Sequence, residues 1–483
     1  MTRTVAFVKR YALVLSLAAL CGAVPLAQQA PDRSKPPVPG APPSLRVPPI
    51  EKRTLTNGLA VSVVAAQKVP IVHLQLVVRS GSAADPVKKF GLASLTADML
   101  DEGAGNRSAL EIADAVDYLG ADLSTNSTSD ASYIDLHVPV ARLADALPIM
   151  SDVLIRPTFP EAELNRLRQD RLTALLEAQD DPEKLIDFAF PRLLYGPAHR
   201  YGTASIGTAA SLQSFSIEDL KNFYASQYRP NNATLIVAGD VSADRVMPQL
   251  EQAFGSWKGT GTSPAPIAQA PATTARRVVL IDKPGAAQSQ IRIGTVGVPR
   301  STQDYFALRV LNTILGGSYT SRLNSNLREQ HGYAYGAAST FDMRRSAGPF
   351  YATAGVQTDK TVEALKEFFN ELTRIHEIVP LTELERAKNY LALALPRNFE
   401  TTRAVASSLA QVYVYDLPAD FYSTYADRVR PITAADVKRA ADKYIVPDKL
   451  LVVVIGDRKV IEQGIRALNL GPVTVADPAE VMK

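Results

Sequence analysis

The chain has 483 residues, 46% hydrophobic and 21% charged, with a formal net charge of +3. That composition suits a soluble globular protein. The small charge makes no case for nucleic acid, and neither a zinc knuckle, aromatic–basic interleaving nor a phosphate-cradling glycine loop is present to supply one. Residues 1–30 read as a secretory signal: Arg3, Lys9 and Arg10 make a basic start, and Tyr11 to Ala27 is a small-residue apolar run. At about 17 residues the run is at the short limit for a membrane span. The competing reading is a retained N-terminal anchor. Cys21 is the one cysteine, and Leu20 before it is a poor fit to a lipoprotein cleavage box. Cleavage after Cys21 leaves no disulfide staples, no thiolate metal sites and no transmembrane span. The expectation is an exported, periplasmic protein. Residues 31–49 are rich in proline and read as an extended tether.

The remainder is too long for one ordinary core. In the first half, 50–258, Leu55–Ala65 reads as strand, turn, strand, with Asn57-Gly58 as the hairpin signal. His73–Arg79 is a strand, Gly91–Gly103 a helix, Ala109–Tyr118 a second helix and Asp130–Pro139 another strand. Ala141–Leu154 and Pro160–Ala178 are helices; Ser216–Tyr228 and Thr234–Gly239 close the unit as helix and strand. Residues 259–276, rich in Gly, Ser, Thr, Pro and Ala, form a linker. The second half, 277–475, repeats the order with strands Val278–Asp282 and Ser289–Val296 and helix Tyr305–Leu315. Asp219–Asp240 and Asp436–Asp457 are each a helix, a proline turn and a buried strand ending in Gly-Asp. Pro230 and Pro447 lie 217 residues apart, as do Asp240 and Asp457, which argues for duplication. The fold class is α+β: two homologous halves, each an antiparallel-rich sheet with helices on one face.

Within Gly91–Gly103, GLASLTADMLDEG, the apolar stripe is Leu92, Leu95 and Met99, and the opposite face carries Ser94, Ala97, Asp98 and Asp101. The stretch resembles the G-x-A-H-x-x-E-H-M helix of the pitrilysin/insulinase metallopeptidases, the family that includes mitochondrial processing peptidase. Gly91, Ala93 and Met99 match that frame. Ser94 and Asp98 stand at the two histidine positions and Ala97 at the glutamate position. The family's third zinc ligand, a glutamate, aligns with Ala174; Glu177 is displaced along the helix and reads as an exposed charge. Zinc prefers imidazole and thiolate, serine is a poor neutral ligand, and alanine cannot act as a base. Asp98 with Asp101 or Glu102 more simply reads as a solvated helix face than as a cation site. The family's substrate-touching Asn-Ala-x-Thr stretch falls on Ser124, Thr125, Asn126 and Ser127, with the asparagine out of register. None of the five histidines (73, 137, 199, 331, 376) is four from another, so no helical His pair exists; His199 reads as a packing or capping residue.

The second half keeps more of the pattern. Ser321–Gly336, SRLNSNLREQHGYAYG, resembles the family's C-terminal signature, in which an arginine and a tyrosine reach across to the substrate. Those positions are Arg328 and Tyr335. Ser321 is positioned to cap a short helix that turns Leu323 and Leu327 inward. Arg328 offers a fork of donors to a peptide carbonyl, and Tyr335 a hydrogen bond to a developing oxyanion. The bland alternative pairs Arg328 with Glu329 and packs Tyr335.

The resemblance covers about 50–460 and implies a processing-peptidase-like architecture, four subdomains in a clam shape around a chamber. It also implies a zinc-less, substrate-contacting subunit of a heteromeric peptidase that acts on unfolded peptides bound as an added strand. No cofactor is expected in this chain; zinc is expected on a partner, a homologous subunit containing HxxEH. The alternative is a non-catalytic structural or peptide-binding homologue. A third reading, a self-contained hydrolase built on Ser94 or Asp98, has no histidine base near in sequence.

Overall fold

Two six-stranded sheets carry the fold, one from each half of the chain. The structure, a computed structural model, describes residues 47–66, 69–259 and 267–483. The expected signal, nearly all of the tether and residues 260–266 of the linker lie outside the described residues. Among the described residues no helix is long and apolar enough to cross a membrane.

The first half contributes strands β1 (Glu51–Thr54), β2 (Ala60–Ala65) and β3 (Ile71–Val78), a short ribbon of β4 (Gly103–Ala104) and β5 (Arg107–Ser108), then β6 (Asp122–Ser127), β7 (Ser132–Pro139) and β8 (Ala233–Gly239). The first sheet is ordered β1-β2-β8-β3-β7-β6, and only β2 and β8 run parallel. The second half contributes β9 (Arg277–Asp282), β10 (Gln288–Val296), β11 (Ala334–Phe341), β12 (Pro349–Gln357), β13 (Leu451–Gly456) and β14 (Val473–Ala476). Its order, β11-β12-β10-β13-β9-β14, repeats the first, with β13 and β9 as the matching parallel pair. The copies differ at one outer edge. There β1 folds back on β2 through the Asn57-Gly58 turn, whereas β14 arrives from the far C-terminus and runs parallel to β9.

The helices of the first half are α1 (Leu92–Asp98), α2 (Ala109–Tyr118), α3 (Leu143–Ile155), α4 (Glu161–Asp180), α5 (Pro182–Tyr195), α6 (Ile217–Gln227) and α7 (Ala243–Phe254), with shorter turns between. Those of the second are α8 (Tyr305–Leu315), α9 (Thr361–Arg374), α10 (Leu381–Ala394), α11 (Thr402–Val414), α12 (Ala434–Tyr444) and α13 (Arg458–Ala467). Side chains alternate across a strand, and here both faces are dry. Val72, Leu74, Leu76 and Val78 of β3 join the core made with the first half's own helices. Val77, with Val64, Ile236 and Ala238, packs instead on Val405, Ala406, Leu409 and Ala410 of α11, which belongs to the other half. The exchange is mutual: Leu185, Ile186, Ala189 and Phe190 of α5 cover Val279, Ile281, Val453 and Ile455 of the second sheet.

Helices therefore cover both faces of each sheet, where one face was expected. The reason is written in β8 and β13, ATLIVAG and LVVVIG, which are buried at every residue and, Thr234 apart, are apolar runs with no polar alternation. The chain likewise contains two sheet-and-helix units where the resemblance implied four subdomains. Each half has one sheet, and its fifth or eleventh helix is lent to the neighbour.

Candidate functional site

Helix α1 starts where Gly91 adopts φ +95°, a left-handed conformation that favours glycine, and a Cβ there would sit 2.7 Å from the carbonyl oxygen of Ile206. Asp85, fully buried, accepts hydrogen bonds from the N–H groups of Gly91 and Ala93, both at 2.7 Å, and so caps the helix. Burial pushes the Asp85 carboxyl up to about 7 against those bonds. Leu92, Leu95 and Met99 enter the core as their spacing predicts, and Ala97 is buried with them. Ser94 and Asp98 remain half-buried on the open face.

Those two side chains share one partner. Arg171 of α4 reaches across with Nη2 2.9 Å from Ser94 Oγ and 2.5 Å from Asp98 Oδ2, and its side chain is only 9% exposed. One turn away, Arg166 of α4 holds Glu102 and Glu163. Asp101 has no such cation; burial pushes it up to about 6, and its contact is a hydrogen bond from Thr125 Oγ1 at 3.3 Å. Ala174 carries no donor atom, and Glu177 points to solvent, 3.9 Å from Lys184. Among the described residues no group of three or more His, Cys, Asp or Glu side chains is placed to hold a metal ion. The residues present therefore do not fit zinc: of the three ligand positions Ala174 lacks any donor, and Ser94 and Asp98 are taken by a guanidinium. The same contact bears on the Ser94 hydrolase reading, because the side chain bonded to Ser94 is an arginine, which cannot accept a proton.

Beside α1 runs β6, the edge strand that carries Ser124, Thr125, Asn126 and Ser127. Thr128 N–H donates to Ala131 O in the β6–β7 turn, so alternation leaves the N–H and C=O groups of Leu123, Thr125 and Ser127 facing outward. They meet no partner among the described residues. The matching edge in the second sheet, β11, is closed. Its outward N–H groups at Ala337 and Ser339 donate to Asn324 Oδ1 at 3.2 Å and Gly316 O at 3.1 Å, and Asn312 Nδ2 donates to Ser339 O at 3.0 Å.

Arg328 and Tyr335 meet at the start of that closed edge. Arg328 lies in a π-helical turn, Ser325–Gln330, marked by an i to i−5 bond from His331 N to Asn326 O at 3.1 Å. Leu323 and Leu327 are fully buried beneath it. Asn326 anchors the turn by donating to Glu367 at 2.9 Å and Glu371 at 3.0 Å. Ser321 precedes the short helix without a side-chain cap, contrary to expectation; its Oγ is buried and unpartnered among the described residues. The guanidinium of Arg328 lies 4.6 Å from the Tyr319 ring centre and 5.2 Å from that of Tyr335, while Nε is 3.3 Å from Glu329 Oε1. So Arg328 does pair with Glu329, but Tyr335 does not pack away: it is 88% exposed. A cavity of about 730 Å³ opens alongside, floored by Gly336, Ala338, Thr353 and Gly355 and bordered by Tyr319 and Asp187.

With an emptied metal helix in one half and an exposed Arg/Tyr pair in the other, the family models can be set beside the geometry. Insulinase (peptidase family M16) matches residues 61–196, and the peptidase M16 inactive domain matches 214–391. The chain belongs to the M16 peptidase family. An uncharacterised zinc protease of Streptomyces coelicolor is 26% identical over 402 residues, 80% of this chain and 87% of that protein. A non-peptidase homolog of Helicobacter pylori is 22% identical, over 81% of this chain and 90% of its own. The crystal structure of a peptidase M16 inactive domain from Pseudomonas fluorescens superposes with a TM-score of 0.79 at 27% identity, covering 85% of this chain and 98% of that one. This M16 chain is thus homologous to members described as inactive, and its own zinc-motif positions are Ser94, Ala97, Asp98 and Ala174.

Two features of this M16 chain escaped the sequence reading. Arg171 sits three residues before Ala174, one turn along the same helix, but nothing in the sequence joins it to Ser94 and Asp98. Tyr319 lay in the GSYTSRL stretch next to the signature. His199 behaves as expected: Nδ1 accepts from Tyr201 N–H at 3.0 Å, leaving Nε2–H to bond Ala268 O at 3.0 Å.

Proposed function

We propose that the chain is the zinc-less, substrate-contacting subunit of a heteromeric zinc-dependent peptidase that cuts unfolded peptides, and that it is inactive alone. The observation that carries the reading is the pairing of Arg328 with an almost fully exposed Tyr335 in a chain whose metal positions hold no usable ligand set. An exposed tyrosine beside a guanidinium serves no packing purpose; across an interface the two supply donors to a peptide carbonyl. The zinc then belongs to a homologous partner containing HxxEH, and the complex works in the periplasm after removal of the signal. The test is affinity purification from the native host with mass spectrometry, followed by peptide hydrolysis assays on the purified pair. Recovery of an HxxEH homologue in equal amount, with activity that needs both chains, supports the reading. Full activity of the pair after Arg328→Ala and Tyr335→Phe sinks it.

The second reading is a non-catalytic peptide-binding homologue, and two observations favour it. Glu329 already pairs with Arg328, and the β6 edge is open for an added strand without any chemistry beside it. Purification without an HxxEH partner, together with peptide binding that leaves the peptide intact, selects this reading.

A further inference from the structure

We infer that Arg171 is a resident cation standing where the family's metal would stand, and that it, more than the missing ligands, makes this site refuse zinc. The inference holds under either functional reading. Its basis is a single atom: Arg171 Nη2 is within 2.9 Å of Ser94 Oγ and 2.5 Å of Asp98 Oδ2, the donor atoms at the two positions that would hold zinc. One nitrogen therefore bridges the two side chains as a metal would, and joins the same two helices, α1 and α4. The guanidinium is buried and cannot be deprotonated, so its positive charge is permanent. A zinc ion bound at about 2.0–2.2 Å from atoms at positions 94 and 98 would overlap it in space and repel it in charge. Asp98 completes the exchange: a carboxylate at the second histidine position neutralises the arginine, as a neutral imidazole could not. The substitutions at 94, 98 and 171 thus read as one coordinated replacement that keeps α1 docked on α4 without metal.

The experiment restores the ligands with and without the plug. The variant S94H/A97E/D98H/A174E, in the otherwise intact chain, is compared with the same variant carrying Arg171→Leu. Both are dialysed against zinc, and bound metal is measured by mass spectrometry, with circular dichroism to establish folding. The four-residue variant is expected to hold less than about 0.1 zinc per chain, and the Arg171→Leu version about one. Stoichiometric zinc in the presence of Arg171 overturns the inference. So does a folded, zinc-free protein in its absence. Should either variant fail to fold, a double-mutant cycle in the natural background decides. Asp98→Asn and Arg171→Met should each lower the melting temperature by about 3–6 °C, and the double variant should lose no more than Arg171→Met alone. Additive losses would mean that the two side chains are not a unit.

Discussion

The two halves are copies of one plan, yet they have been altered in opposite ways. In the first half the sheet edge β6 is open and the helix beside it is plugged by Arg171. In the second half the equivalent edge β11 is sealed by Gly316, Asn312 and Asn324, and the exposed features are side chains, Arg328 and Tyr335. A main-chain edge recognises any extended peptide; a guanidinium and a phenol recognise a particular carbonyl. On the proposed function, the contrast would give peptide docking to one half and contact with the reacting group to the other.

The sharpest way to break that division is to remove the side chains of the second half. In the assembled pair, the double variant of Arg328→Ala and Tyr335→Phe should lower kcat/KM for peptide by about 10³-fold or more, given that a single oxyanion donor is worth about 10²–10³. Binding of an uncleavable peptide should change far less, which a fluorescence anisotropy titration reads directly. Next in size is the lock that holds the halves in register. Leu185 of α5 is fully buried against the second sheet, so Leu185→Ala should cost roughly 2–5 kcal/mol by urea denaturation. Leu409→Ala on α11 is its symmetric partner and should cost a similar amount. Leu176, exposed on α4, is the control, and its alanine variant should fall within about 0.5 kcal/mol of the parent.

Much of the fold was legible because its signals are local. The 217-residue offset located both Gly-Asp strand ends, and the Leu92, Leu95, Met99 stripe predicted which face of α1 is buried. The exchange of α5 and α11 was not legible. Helix α5 contains Pro191 and was passed over, and nothing in an apolar strand says which half supplies its second cover. The site divides in the same way. The family resemblance marked Ser94, Asp98 and Ala174 as lost ligand positions and Ala97 as the lost base, whereas the arginine that joins two of them is 77 residues from Ser94 and needs a fold to arrive. The failed cap at Ser321 has a similar cause: the residue type was right for capping, but its hydroxyl is turned inward and buried.

A smaller effect separates the two edges. Thr125 offers its N–H outward from β6, so Thr125→Pro removes a docking donor without breaking the ladder to β7. Affinity for an unfolded peptide should fall about tenfold, the size of one lost hydrogen bond of about 1.4 kcal/mol. Ala337→Pro in β11 is the mirror experiment. The N–H it removes is already bonded to Asn324, so it should lower the melting temperature and leave peptide affinity unchanged. Equal losses of affinity from both variants would erase the distinction between an open and a closed edge.

A last test asks what keeps α1 beside its edge when no metal does. Asp85 caps α1 through Gly91 and Ala93, yet burial raises its folded pKa to about 7 from an ordinary 3.8. A carboxyl whose pKa is higher in the folded chain binds its proton more tightly there, so its contribution favours folding at low pH. That contribution is complete below about 4 and is lost as pH rises through about 7. The part of the stability curve due to Asp85 should therefore fall between pH 4 and 7, on top of whatever the exposed carboxylates add. Asp85→Asn keeps the shape and one acceptor but cannot titrate, so it should flatten the curve in that window. An unchanged slope in melting temperature against pH would mean that the two backbone N–H bonds hold the carboxylate charged after all. The cap would then be an anion at the helix N-terminus, stabilised by the two N–H donors it bridges and by the positive charges of Arg200 and Arg171.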